Sequence, residues 1–333
     1  MKRIELASPS TIDSLRIVDR KRPRPGPGEV LVRVRASSLN FHDYLVATGV
    51  LKAAEGRVPM SDGAGEVVEL GEGANRFAVG DRVMGTYYGG WIDGPATPAK
   101  LALARGDQID GFAAEYVMVS EQTLTRVPQS LSDAEAATLP CAGVTAWHAL
   151  FGDHRIKPGD SVLVQGTGGV SIFALQFARM AGASVIALTS TAEKAARLNE
   201  LGAAHVVSYT EQPQWGAIVR ELTGGCGVDV AVEVVGGDLS QTLSALKLGG
   251  RTVLIGALSR KPISYASFAA IVGNASVAAL TVGSREHQEE MVRAIDANGL
   301  KPVIDRTFPL DQIGEAFRFQ EQKRHFGKIA LAW

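Results

Sequence analysis

Apolar runs of strand length alternate with amphipathic stretches through the second half of the chain. Residues 162–165 form a short run rich in β-branched residues that leads into Gly166, Gly168 and Gly169, and the apolar positions of 170–181 recur at helical spacing. This predicts a strand, a tight turn and a helix start. Further strands are predicted at 183–189, 204–208, 228–235 and 251–255, with helices at 193–201, 215–222 and 239–248 between them. Strands and helices in strict alternation, joined at glycines, predict an α/β fold with a doubly wound parallel sheet.

The first 125 residues read differently. The Pro- and Gly-rich stretch 23–28 is a turn, and beyond it Val30, Val32, Val34 and Ala36 alternate with Leu31, Arg33 and Arg35, the pattern of a half-exposed strand. Short strands with tight turns follow at 61–70, 77–84 and 112–119, predicting a small, mainly β barrel. Residues 87–111 form a long connection carrying Tyr87, Tyr88 and Trp91, either a lid over a site or a surface excursion. Ser132 with Glu135 opens a helix, and 285–333 supplies helices at 285–298 and 312–320 and strands at 303–308 and 328–331.

Composition bounds the function. The chain has 333 residues, of which 46% are hydrophobic, enough for two cored domains. A net charge of −1 with mixed signs leaves no basic face for nucleic acid. Two cysteines, Cys141 and Cys226, give neither a disulfide framework nor a structural zinc site, and with no signal-peptide core a cytoplasmic protein is expected. Residues 265–284 lack charge but are mostly Ala, Ser and Gly around Asn274; a helix, a Gly-Asn turn and a strand at 277–282 are expected there, not a membrane span.

The glycine turn suits a dinucleotide. Gly166 permits the sharp turn, Gly168 lets a pyrophosphate approach the backbone, and Thr167, Gly169 and Val170 bring it to the helix N-terminus. Ser171 stands where a third glycine is usual. At the end of the second strand an acid would bond the ribose hydroxyls of NAD; this chain has Thr189, Ser190 and Thr191, followed by Lys194 and Arg197. Hydroxyls and an ammonium suit a 2′-phosphate, so NADPH is the expected coenzyme, although Thr191 also suits a helix cap.

Five ordered stretches, 25–34, 77–83, 139–147, Lys157-Pro-Gly-Asp160 with the glycine turn, and His325-Phe-Gly-Lys328, together resemble the medium-chain dehydrogenase/reductase superfamily over nearly the whole chain. The resemblance implies a chaperonin-10-like barrel catalytic domain (1–125 and 285–333) and a Rossmann domain (126–284). It also implies that Gly256 and the segment of Val282, Gly283 and Ser284 flank the nicotinamide, and that the last Rossmann strand pairs across a homodimer.

Zinc alcohol dehydrogenases of this superfamily carry a cysteine where this chain has Asn40 and His-Glu where it has Ser61-Asp62; only the third ligand position is kept, as Cys141. One thiol cannot hold a catalytic zinc, which needs three protein ligands, so no metal is expected, and Cys141 reads as a small buried hydrophobe. Asn40-x-x-Asp43 is similar instead to zinc-independent quinone oxidoreductases related to zeta-crystallin, without their following arginine. Lacking a metal, the chain needs hydrogen-bond donors at an oxyanion that is itself stable, which a hydroquinone anion or an enolate is. The expected reaction is therefore reduction of a quinone or α,β-unsaturated carbonyl. Tyr44 is the expected donor, Asn40 orients the substrate, Asp43 holds the geometry, and His42 faces solvent. Zinc-type alcohol dehydrogenation and NADPH binding with little catalysis are the alternatives.

Overall fold

The computed structural model of the protein describes residues 1–256 and 258–333. In chain order, β1 (Lys2–Glu5) and β2 (Arg16–Asp19) pair as an antiparallel ribbon, and β3 (Glu29–Ser38) leads into α1 (Phe41–Ala47). The strands β4 (Ala64–Leu70), β5 (Arg82–Gly85), β6 (Tyr116–Ser120) and β7 (Leu124–Arg126) follow, with α2 (Pro98–Leu101) in the long connection. After α3 (Asp133–Ala136), a turn of π-helix (Leu139–Gly143) runs into α4 (Val144–Phe151). Then come β8 (Ser161–Gln165), α5 (Gly169–Met180), β9 (Ser184–Thr189), α6 (Ala192–Glu200), β10 (His205–Ser208) and α7 (Trp215–Leu222). The chain continues through β11 (Val228–Glu233), α8 (Ser240–Ala245), β12 (Leu246–Leu254), α9 (Ser267–Val272) and β13 (Ser276–Ala279). It closes with α10 (Arg285–Asn298), β14 (Ile304–Pro309), α11 (Ile313–Glu321) and β15 (Lys328–Ala332).

Two compact units result, Met1–Val144 with Val282–Trp333, and Thr145–Thr281. The stretch 126–144, expected with the coenzyme domain, groups with the β unit. Arg82 Nη2 holds Asp133 Oδ1 at 2.6 Å, and the Cys141 N–H donates to Asp62 Oδ1 at 2.9 Å.

In the β unit a seven-stranded sheet runs β14-β15-β3-β4-β5-β7, with β6 also on β3. The strand expected at 30–36 is central, pairing with β4, β6 and β15: Val30, Val32, Val34 and Ala36 are buried and Arg33 is exposed as the alternation predicts, but Leu31, on the Arg33 face, is buried too. Phe112 fills the core against Gly63 and Gly85, where an added Cβ would come within 2.2 Å of its ring. Close approach, not turn geometry, is why those two positions carry no side chain.

The other unit is the doubly wound α/β layer, a six-stranded parallel sheet in the order β10-β9-β8-β11-β12-β13. Its core gathers Leu163, Ile186, Leu188, Val207, Val219 and Ala231 between sheet and helices. The helix expected at 239–248 stops at Ala245 because Leu246 joins Val228 in the parallel ladder. The strand expected at 277–282 ends at Ala279, and Val282 has a φ of 40°, which no strand residue adopts. Among the described residues no helix is long and apolar enough to cross a membrane.

Candidate active site

The glycine turn lies at the carboxyl end of β8, where open parallel sheets hold ligands. Gly166 has a φ of 74° and its N–H donates to Leu188 O, which brings the turn against β9. Gly168 caps α5 with a φ of −74°, a conformation open to any residue, yet an added Cβ there would meet no atom within 4 Å. Neither chain geometry nor packing requires glycine at 168. The open space leaves room for a ligand to come against the backbone, and the N–H groups that open the 12-residue helix, those of Gly169, Val170 and Ser171, have no partner within the helix. These residues fit a pyrophosphate. Ser171 fills the third glycine position without strain, its hydroxyl donating to Gln165 O at 2.7 Å.

Glu233, which sequence reasoning passed over, braces the turn from beneath. Its buried carboxylate accepts from Gln165 Nε2 (2.6 Å), Thr242 Oγ1 (2.7 Å) and the N–H groups of Val235 and Gly236. The carboxyl ends of β8 and β11 are thereby joined through one side chain. At the end of β9, Thr189 Oγ1 is buried and without a hydrogen bond, Ser190 is half-buried, and Thr191 Oγ1 accepts from the Lys194 N–H at 3.3 Å as the cap of α6. Gly256 passes the chain just beyond β11 so closely that a Cβ would lie 2.2 Å from Val234 O. In the β unit Gly283 is pressed against Val144 and His287, and Ser284 caps α10 by accepting from the His287 N–H at 3.2 Å.

The positions that resemble zinc ligands are occupied by a buried hydrogen-bonded network. Asn40 is the N-cap of α1 and Asp43 its third residue, so the Asn-x-x-Asp spacing forms a capping box: the Asn40 N–H donates to Asp43 Oδ2 at 2.9 Å. Asp43 Oδ1 accepts from the Ser61 N–H at 2.7 Å. Asn40 Nδ2 donates to Asp62 Oδ2 (2.8 Å) and Ser61 Oγ (3.2 Å), and Asn40 Oδ1 accepts from Lys328 Nζ at 2.6 Å. Lys328, reached from β15, also donates to Leu39 O at 2.8 Å and lies 3.3 Å from Asp62 Oδ2. Burial pushes the Asp62 carboxyl above its usual range; the Lys328 ammonium opposes this, and the Asp43 charge adds to it. The Cys141 thiol is likewise pushed well up by burial and by the Asp62 charge.

This donor set does not fit a catalytic zinc. Asn40 and Ser61 bring no thiolate or imidazole, and Asp62 is spent on four hydrogen bonds, one of them from the Lys328 ammonium. Among the described residues no three His, Cys, Asp or Glu side chains gather as a metal site.

His42 does not face solvent as expected. Its ring is mostly covered, with Nε2 3.4 Å from Asp107 Oδ2 and Nδ1 3.7 Å from Asp43 Oδ1. Burial works against the charged ring, but the nearby carboxylates of Asp107 and Asp43 prevail, and its pKa rises to about 9. Asp107 belongs to the connection 87–111, which is no free flap. Arg105 is buried within it, donating to Thr86 O and Thr123 Oγ1, and the carbonyls of Trp91 and Ile92 accept the N–H groups of Arg285 and Glu286 at the start of α10. Tyr44 points elsewhere, its hydroxyl donating to Glu321 Oε1 at 2.8 Å on the exposed side of α11.

Lys328 was legible only as the end of the His325-Phe-Gly-Lys328 stretch, with no role attached to it, and His42 and Tyr87 gave no periodic signal. A shallow hollow lined by Asp160, Asp229 and Lys247 lies at the amino ends of the parallel strands, the wrong end for a coenzyme.

Known families account for both units. Residues 26–129 match the alcohol dehydrogenase GroES-like domain and residues 169–297 the zinc-binding dehydrogenase family. A zinc-type alcohol dehydrogenase-like protein of Schizosaccharomyces pombe is 39% identical over 92% of this chain and 91% of its own. An alcohol dehydrogenase of Geobacillus stearothermophilus is 29% identical over 96% of this chain and 95% of its own. The crystal structure of an NAD-dependent alcohol dehydrogenase superposes with a TM-score of 0.90 at 32% identity, over the whole of both chains. The fold and site define a nicotinamide-dependent oxidoreductase. The chain belongs to the medium-chain dehydrogenase/reductase superfamily.

Proposed function

We propose that the protein is a metal-free, NADPH-dependent reductase of quinones or α,β-unsaturated carbonyls, of the zinc-independent branch related to zeta-crystallin. The observation that carries this reading is the Lys328 ammonium bonded to Asn40 and Asp62, where relatives with zinc have ligands. A site that holds a fixed cation of its own leaves no place for a metal to take an alkoxide, so the acceptor must be one whose oxyanion is stable.

The bound coenzyme supplies the hydride. The chain's part is to hold the coenzyme and the acceptor and to meet the charge that appears on the acceptor oxygen. Gly166, Thr167, Gly168, Gly169 and Val170 take the pyrophosphate, with Gly256, Val282, Gly283 and Ser284 about the nicotinamide. Thr189, Ser190, Thr191 and Lys194 take the 2′-phosphate; the absence of a carboxylate there supports NADPH over NADH. Asn40 and Asp43 are positioning residues, since both of the Asn40 amide's polar atoms are already engaged within the network. Tyr44 serves as a donor when its hydroxyl leaves Glu321. A homodimer through β13 completes the reading, supported by the exposed apolar face of α9 beside that edge strand.

The names of the relatives favour a second reading, zinc-type alcohol dehydrogenation. One experiment separates the two: oxidation of NADPH and NADH against quinones, enones, aldehydes and ketones, before and after chelation, with metal assayed on the same sample. Chelator-resistant turnover of quinones or enones by metal-free protein is the expected result. Stoichiometric zinc with chelator-sensitive alcohol or aldehyde turnover overturns it, and coenzyme binding with no turnover would mark a binding protein.

A further inference from the structure

Tyr87 follows β5 and is only 7% exposed, yet its hydroxyl makes no hydrogen bond to any described residue. Buried phenols almost always find a partner. The titratable groups that act on this one are Cys141, Tyr88, Asp43 and Asp107, and Asp43 is itself a member of the Asn40–Ser61 network. The ring is held from two sides. It meets His42 edge-to-face at 5.2 Å and 72°, and Tyr88 at 4.7 Å and 81°. His42 is itself fixed between Asp107 and Asp43. The result is a ring held on two sides whose hydroxyl is bonded to no described residue and is not among the fully buried atoms, so an acceptor can reach it, whereas the Tyr44 hydroxyl is committed to the Glu321 carboxylate.

We propose that Tyr87 is the residue that hydrogen-bonds the acceptor's carbonyl oxygen as that oxygen becomes an enolate or hydroquinone anion. The assignment rests on the reductase reading above and adds to it a donor that has no competing carboxylate to leave. For an enone, the hydride from the reduced nicotinamide forms a C–H bond at the β-carbon. The C=C electron pair shifts and leaves charge on the carbonyl oxygen, where Tyr87 Oη–H meets it, and a proton from water completes the saturated product. Burial and the nearby acidic groups keep the phenol protonated, so it donates and does not ionise. Preorganised donors of this kind gain most where water is excluded. His42 is the positioning residue, acting through the ring of Tyr87.

The test reads the oxyanion site without turnover. 4-Nitrophenol is titrated against the full-length protein, with and without NADP, following the phenolate absorbance. Wild-type protein binds the phenolate form, and Tyr87→Phe binds it about tenfold more weakly, as loss of one hydrogen bond to a charge predicts. Equal binding by wild type and Tyr87→Phe, or no binding by wild type, overturns the assignment. Melting temperature shows that Tyr87→Phe is folded, the ring contacts being unchanged. Enone turnover, measured in parallel, falls on the order of 10²-fold in Tyr87→Phe with an unaltered KM for NADPH. If wild type turns over no enone or quinone while Tyr87→Phe still weakens phenolate binding, the reductase reading falls and the oxyanion site stands.

Discussion

Lys328 Nζ lies 3.3 Å from Asp62 Oδ2, and both side chains are buried. Asp43 shares the same network, so the ammonium balances a cluster with more than one carboxylate. Replacing Lys328 by Met should cost about 3–5 kcal/mol of unfolding free energy, because it strands a buried charge. Adding Asp62→Asn should restore part of that loss. Urea unfolding of the single and double variants checks both expectations, and equal stability of wild type and Lys328→Met would show that the pair carries nothing.

His42 gives the fold a pH dependence of defined sign. Its pKa is raised from 6.5 to about 9 on folding, so its contribution is complete below pH 6.5 and is lost as the pH rises through 9. The upper bound is about 3 kcal/mol. Asp107→Asn should lower stability at pH 6 and flatten the decline between pH 7 and 9. Thermal unfolding across that range, compared with wild type, reads the difference directly.

Gly168 separates folding from coenzyme binding. With open space around its Cβ position and a φ of −74°, Gly168→Val should melt within a degree or two of wild type. Its affinity for NADPH should fall tenfold or more, because the side chain would take the place of a phosphate. Ser190→Asp should weaken NADPH and spare NADH. Fluorescence titration with both coenzymes tests these variants together.

The dimer proposal rests on α9, where Phe268, Ile271 and Val272 are 75%, 74% and 62% exposed beside the free edge of β13. Apolar surface of that kind on a sheet edge is normally covered. Light scattering should give twice the 35.2 kDa chain mass, and Phe268→Glu with Ile271→Glu should give the monomer. A wild-type monomer at micromolar concentration would end the proposal.

Local chemistry wrote the frame of this molecule into its sequence. The β-branched run ahead of Gly166 could only become a strand, turn and helix, because period, φ and the missing Cβ are properties of neighbouring residues. The same holds for the Ser132–Glu135 cap and for the Gly-Asn turn before β13. Even Asn40 and Asp43 were legible as a local pair, three residues apart. What the sequence could not order was the company these residues keep. Lys328 meets Asn40 across 288 positions, Asp62 meets the Cys141 backbone across 79, and Tyr87 stands on a histidine from another element. Leu31, half-exposed by its alternation, is buried because β15 and β6 come to lie against β3. Burial and charge pairing depend on which distant segments share a volume, and only the folded chain settles that.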